Sequence, residues 1–261
     1  MENPAQPASV PQRLTSPINR KVLLLILGLV AGFQLYLYSF PDPEEADTTI
    51  SVISALNPLA AAAVGFFVAK RYLGSKVFGK SYFALALGLS MMVLGEITYG
   101  IQNLLGIDPY PSVADVFFIS FYPLAFYHLV TNIRFFKPKL DIATKIFIVI
   151  IPISIVATYS FLSLQEIGEA NFDYYFGLVF IIASAVVLSA GILGARVFRQ
   201  GVLGVAWLVL VIGILLTTFG DVWYYYLETF GQYDLVHSVN LFWYASYMVI
   251  TYALFKHKKI I

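Results

Sequence analysis

The chain has 261 residues, of which 59% are hydrophobic and only 12% charged; a soluble domain carries about 25% charged residues. Its mean hydropathy is +0.80, so it reads as a polytopic membrane protein. A net charge of +1 gives no electrostatic case for nucleic acid, and the absence of cysteine excludes disulfides, thiolate metal sites and a cysteine nucleophile.

Residues 1–20 are polar and contain Pro4, Pro7, Pro11 and Pro17. They offer too little apolar surface to order themselves, so a disordered cytoplasmic tail is predicted. Eight apolar segments follow, at 22–40, 49–69, 81–105, 113–135, 145–164, 173–195, 202–229 and 236–255. Each is near the roughly 20 residues that a spanning helix needs. The runs are continuous rather than alternating, which favours helices over a β-barrel. The first run exceeds the roughly 7–15 residues of a secretory signal core, so it is read as a retained helix. Gly28 and Gly32 form a GxxxG in the first segment, and Ala60 to Ala63 with Gly65 make a small face in the second. Both are expected to seat helices within the chain, because small residues allow backbones to approach closely. Pro58, Pro123 and Pro152 fall inside spans, where kinks are tolerated.

Charge orients the segments. Every Lys and Arg falls in the N-terminal tail, in alternate connections or at the C-terminus: Arg13, Arg20, Lys21, then Lys70, Arg71, Lys76, Lys80, then Arg134, Lys137, Lys139, Lys145, then Arg196, Arg199, then Lys256, Lys258, Lys259. The other connections carry Asp42, Glu44, Glu45 and Asp47, then Asp108, then Glu166, Glu169 and Asp173, then Asp234. The positive-inside rule places both termini in the cytoplasm of a cell-membrane protein. The basic C-terminus is suited to anionic lipid.

The stretch 95–123 recurs at 220–248 with a constant offset of 125 positions. Gly95 falls on Gly220, Glu96 on Asp221, Tyr99 on Tyr224, Gly106 on Gly231, Asp115 on Asn240, Phe117 on Phe242, Tyr122 on Tyr247 and Tyr127 on Tyr252. Gly79, Leu85 and Gly88 extend the match to Gly204, Leu210 and Gly213. The fold expected is therefore all-α, with eight transmembrane helices as two tandem four-helix repeats, 21–140 and 141–261. Four spans per unit give both units the same orientation, related by an axis along the membrane normal.

Glu96 and Asp221 are the acids hardest to explain as surface residues. A charged acid deep in a span costs about 2.5–3.5 kcal/mol on insertion scales, so it faces the bundle interior. Tyr99 and Asn103 follow Glu96 at helical spacing, and Tyr224 follows Asp221. Two readings stand side by side. In one, each acid hydrogen-bonds a tyrosine, or Asn103 or Gln102, and locks two helices together. In the other, the two polar stripes meet in an outward-opening cavity walled by Tyr122, Trp223, Trp243 and Tyr247 that takes a ligand or a proton. Ser112 and Asp115 before the fourth segment fit a capping box; Asp115, or Asn240 in the second unit, also qualifies as a ligand contact. His128, His237 and His257 are scattered and predict no metal cluster. No Walker loop, HExxH, GxSxG or dinucleotide fingerprint occurs, so no catalytic residue and no cofactor are expected.

The run Tyr110-Pro111-Ser112-Val113-Ala114-Asp115, followed by Tyr122-Pro123, resembles the YPSxAD…YP signature of bacterial multi-helix membrane input domains that precede GGDEF diguanylate cyclases. Gly95, Glu96 and Tyr99 are similar to that family's preceding helix. The resemblance covers mainly the third and fourth helices, and faintly the seventh and eighth. It implies a sensory or input role with a membrane or cytoplasmic signalling partner. The chain ends at Ile261 without a cyclase, so a stand-alone input protein is expected and cyclic-dinucleotide synthesis is not carried over. Two alternatives remain: a proton-coupled small-molecule transporter, and a non-catalytic scaffold subunit of a membrane complex.

Overall fold

The computed structural model describes residues 18–40, 43–136, 138–199 and 204–259. The tail expected over 1–20 lies, as far as residue 17, outside the described residues. Eight α-helices follow one another: α1 (Arg20–Leu37), α2 (Asp47–Arg71, after a 3-10 turn at Pro43–Ala46), α3 (Phe78–Leu104), α4 (Val113–Phe135), α5 (Ile142–Ile167), α6 (Phe172–Phe198), α7 (Gly204–Glu228) and α8 (Asn240–Lys259). The apolar runs supply the helices and short polar side chains start several of them. Asn19, Ser112, Asp141 and Asn171 each accept a hydrogen bond from a backbone N–H of the first turn. At the opposite ends, α3 and α7 stop in the same way. Gly106 and Gly231 take left-handed φ values of 69° and 61°, which a residue with a Cβ rarely adopts. The next N–H folds back onto Gln102 in one case (2.9 Å) and Leu227 in the other (3.1 Å), satisfying a carbonyl the helix leaves open.

Seven helices, α1 to α7, are long and apolar enough to cross a membrane. The composition of α8 falls short, and its place in the bundle supplies the reason: among its described side chains only Phe255 is exposed. A helix so enclosed needs no lipid-compatible surface of its own and can carry Asn240, Tyr244, Ser246, Tyr247 and His257.

Six helices close a ring, with α2 packed on α3, α3 on α4, α4 on α6, α6 on α7, α7 on α8 and α8 back on α2. The two remaining helices lie outside it, α1 against α8 and α5 against α6 and the edge of α7. Small residues seat the ring: Gly65 faces Ala86 at 3.1 Å from its notional Cβ. The Gly28–Gly32 pair does not take part in such packing. Nothing lies within 4 Å of either position, because α1 meets the bundle through Ile26, Val30, Gln34 and Leu37, and that stripe leaves the glycines on the opposite side of the helix. Pro152 removes the N–H that would have bonded the Ile148 carbonyl; the Ser189 hydroxyl of α6 donates to that carbonyl at 2.6 Å instead. At the basic end, Asp141 caps α5 through Thr144 (2.7 Å) and pairs with Arg196 (3.0 Å) in the open.

Candidate functional site

The candidate site lies in the half of the ring that carries the acidic connections. Glu96 sits about 12 Å below the end of α3 and Asp221 about 10 Å below the end of α7, counting 1.5 Å per residue. Both line one cavity of about 80 Å³ between α2, α3, α4, α6, α7 and α8. Its floor is near Met92 and Tyr247, and it extends to Tyr233 and Leu235 in the α7–α8 connection.

Asp221 has both oxygens engaged. Its Oδ2 accepts from the Tyr122 hydroxyl of α4 (2.8 Å) and the Ser184 hydroxyl of α6 (2.5 Å), and its Oδ1 accepts from the Trp243 indole of α8 (3.0 Å). One carboxylate thereby ties α7 to three neighbours. Glu96 accepts no hydrogen bond from any described residue and faces the cavity, whose wall it shares with Tyr99, Tyr244 and Tyr247.

Asp115 does two things. Its carboxylate accepts from the Ser112 N–H at 2.8 Å while the Ser112 hydroxyl accepts from the Ala114 N–H at 3.1 Å, completing the capping box. It also forms part of the cavity wall. Asn240, at the start of α8, accepts from the Tyr233 hydroxyl (3.1 Å) and donates to the Leu235 carbonyl (2.7 Å), so it organises the α7–α8 connection. Tyr99, Tyr122, Tyr224, Trp243 and Tyr247 line the cavity as well.

Asn103 does not. Its amide donates to Asp47 at 2.8 Å and braces α3 on α2, so it is no partner of Glu96. Gln102 leaves its Oε1 without a partner. Trp223, expected as a wall, is 39% exposed and packs on His237 and Phe242 outside the cavity. It lies two residues beyond Asp221, about 200° round the helix from it.

No family model, curated protein or solved structure matches the chain. What the site can do therefore rests on its own chemistry. Tyr225, four residues after Asp221 on the same stripe, belongs to it, and so do Tyr233, Tyr244 and Ser184, which sequence patterning did not single out. Tyr233 and Tyr244 were lost among the many that sit in interfacial belts, and a lone serine within an apolar run carries no signal. Burial pushes the Tyr233 hydroxyl well above the ordinary tyrosine range, so it stays a neutral donor.

A second polar centre lies in the other half of the bundle. Ser81 bonds His128 Nδ1 at 2.8 Å, and Asn132 donates to Ser81 and, at 2.7 Å, to the His128 carbonyl. Tyr82 and Trp207 each contact the rings of both His128 and His257. Two histidines that are 129 residues apart in the chain thus share one aromatic box. No group of three or more His, Asp or Glu suited to a metal exists among the described residues.

Proposed function

We propose that the chain is a non-catalytic, sensory or input-type protein of the cell membrane that receives a small ligand or a proton in the cavity beside Glu96. The observation that carries this is the Glu96 carboxylate itself. A structural acid would be expected to resemble Asp221, with its lone pairs taken up by donors. Glu96 has none among the described residues and faces a space that can hold several waters, at about 10–15 Å³ each.

The finer architecture belongs to the same proposal: eight spans, two tandem units at 21–140 and 141–261, both termini in the cytoplasm and the cavity opening outward. Three features support the repeat. The ring order α2-α3-α4-α6-α7-α8 is unchanged when each unit is exchanged for the other. Phe118 crowds Gly95 as Trp243 crowds Gly220, and both pairs are 125 positions apart. The glycine stops at Gly106 and Gly231 also correspond. The outer helices depart from the pattern, since α1 lies on α8 whereas α5 lies on α6. A carrier using Glu96 and Asp221 as twin proton sites is less well served, because Asp221 is held by three donors. A scaffold is less well served because Glu96 accepts no hydrogen bond from the described residues.

Infrared difference spectra across a pH titration test the reading. A carboxyl band that moves between mildly acidic and alkaline pH and disappears in Glu96→Gln is expected. A spectrum in which no carboxyl band moves would end it. Orientation is tested separately in this cysteine-free chain: cysteines placed at Asp47 or Glu169 should react with an impermeant reagent from outside, and one at Ser75 should not.

A further inference from the structure

From the walls of the cavity we infer that its ligand is a small monovalent organic cation of the quaternary or primary ammonium type. The inference rests on the ligand-receiving role proposed for this cavity and names the chemistry it would take.

Charge decides the sign. Among the described residues the lining contains Glu96, Asp115 and Asp221, and no Lys, Arg or His. An anion would meet three carboxylates and no counter-charge. Capacity decides the valence. Asp221 has both oxygens engaged by donors, and Asp115 has one engaged by the Ser112 N–H. Glu96 alone has its full acceptor capacity. A divalent metal wanting six or more oxygens is poorly provided for, whereas one positive charge is neutralised by Glu96.

The rings decide the class. Tyr224 stands nearly perpendicular to Tyr233 (4.7 Å between centroids, 86°) and to Tyr225 (4.9 Å, 74°), and is tilted at 64° to Trp243 at 5.2 Å. Walls set at such angles present ring faces from several sides, which is the arrangement that attracts an ammonium group. Tyr247 adds an independent sign of an occupant. It is 3% exposed and lines the cavity beside Glu96, yet its hydroxyl bonds to no described residue. A bare proton would neutralise Glu96 but leave these walls and this hydroxyl unused. An ammonium ligand engages the carboxylate and the ring faces, and a primary ammonium, or the hydroxyl of choline, can also hydrogen-bond the Tyr247 hydroxyl.

The test uses the full chain in lipid nanodiscs carrying Ser54→Cys, a wall position in a protein without native cysteine. Its labelling by an impermeant maleimide is followed with choline, tetramethylammonium, the neutral isostere 3,3-dimethylbutan-1-ol, acetate or calcium present. Choline and tetramethylammonium should slow labelling at concentrations about tenfold or more below the neutral alcohol, the scale of one desolvated cation–ring contact. Glu96→Gln should abolish that preference, and Tyr99→Leu should weaken it. Equal protection by the alcohol, or protection by acetate or calcium in place of the ammonium probes, overturns the inference while leaving a ligand cavity intact. Absence of protection by any probe also overturns it. A Ser54→Cys variant that no reagent reaches from either face overturns the receiving cavity as well.

Discussion

Glu96 and Asp221 lie 125 positions apart, in α3 and α7, at similar depths below the same end of the bundle. Among the described residues, one is held by three donors and the other by none. The surrounding sequence accounts for the difference. The donors to Asp221 are Tyr122, Ser184 and Trp243. Their counterparts at the same offset are Tyr247, Leu59 and Phe118. Two of the three cannot donate a side-chain hydrogen bond, and the third, Tyr247, does not reach Glu96 within bonding distance. The role of each acid is thus set by what faces it. In α7 the acid fastens helices. In α3 it is left to the cavity.

The largest expected effect comes from removing the fastener. Asp221→Leu would leave the Tyr122, Ser184 and Trp243 donors without their acceptor in a place where no lipid can replace it. Each interhelical bond of this kind contributes about 0.6–1.7 kcal/mol in a membrane, and an orphaned donor about 1–3. The expected loss is about 2–5 kcal/mol, read as a fall in the detergent unfolding midpoint. Asp221→Asn should lose only about 1 kcal/mol or less. Its carbonyl can face the indole while the two hydroxyls rotate to accept from its amide. An equal loss for Asn and Leu would mean that the charge, not the hydrogen bonding, holds the helices.

The glycines one residue earlier sharpen the contrast. A Cβ at Gly95 would stand 2.4 Å from the Phe118 ring, and one at Gly220 would stand 2.7 Å from Trp243 Nε1. Overpacking of this kind costs about 1–3 kcal/mol. Gly220→Ala should cost more than Gly95→Ala even though its contact is looser, because displacing the indole also breaks its bond to Asp221. Circular-dichroism melts of the two variants would check the order. If Gly95→Ala proves the worse, Trp243 is not a working donor.

A smaller effect is expected at the start of α4. Ser112→Ala removes the hydroxyl that accepts from Ala114 and should cost about 0.5–2 kcal/mol. Asp115→Asn should cost less, since an amide oxygen can still accept from the Ser112 N–H, as Asn240 accepts from Tyr233 in the other half. Thermal midpoints of the two variants, measured side by side, test this order.

The helices and the cap were legible in the sequence because each rests on local chemistry: an apolar run of spanning length, or a serine with an acid three residues on. Helix bounds fall within a few residues of the apolar segments. The interior position of Glu96 and Asp221 was legible too, since an acid in an apolar run has few places to go. Their partners were not. Asn103 turned to Asp47, and Ser184 came from a helix whose pattern gave no hint of it. Nor did the sequence reveal that α1 would present Ile26, Val30, Gln34 and Leu37 inward and turn Gly28 and Gly32 away. Which face of a uniformly apolar helix meets its neighbours depends on the other helices. The pairing of His128 with His257 is of the same kind, fixed only when α4 and α8 share an interior.

The smallest expected change in stability is at Glu96, and that smallness is what separates it from its counterpart. Were Glu96 part of a structural network, Glu96→Gln would be tolerated and Glu96→Leu would destabilise, because leucine would strand its partners. Among the described residues it has no hydrogen-bond partner to strand. Glu96→Leu should therefore leave the unfolding midpoint unchanged, within about 0.5 kcal/mol as for a substitution that breaks no buried bond. Glu96→Gln should behave the same way. The cavity wall would become less acidic in both, and any pH-dependent carboxyl band would go with the side chain. A double variant with Asp221→Leu should lose no more than Asp221→Leu alone, since the two carboxylates share no hydrogen-bond donor. A loss above about 1 kcal/mol for Glu96→Leu alone would mean that donors reach Glu96 in the membrane. The two acids would then be fasteners alike, and the contrast between the halves would collapse.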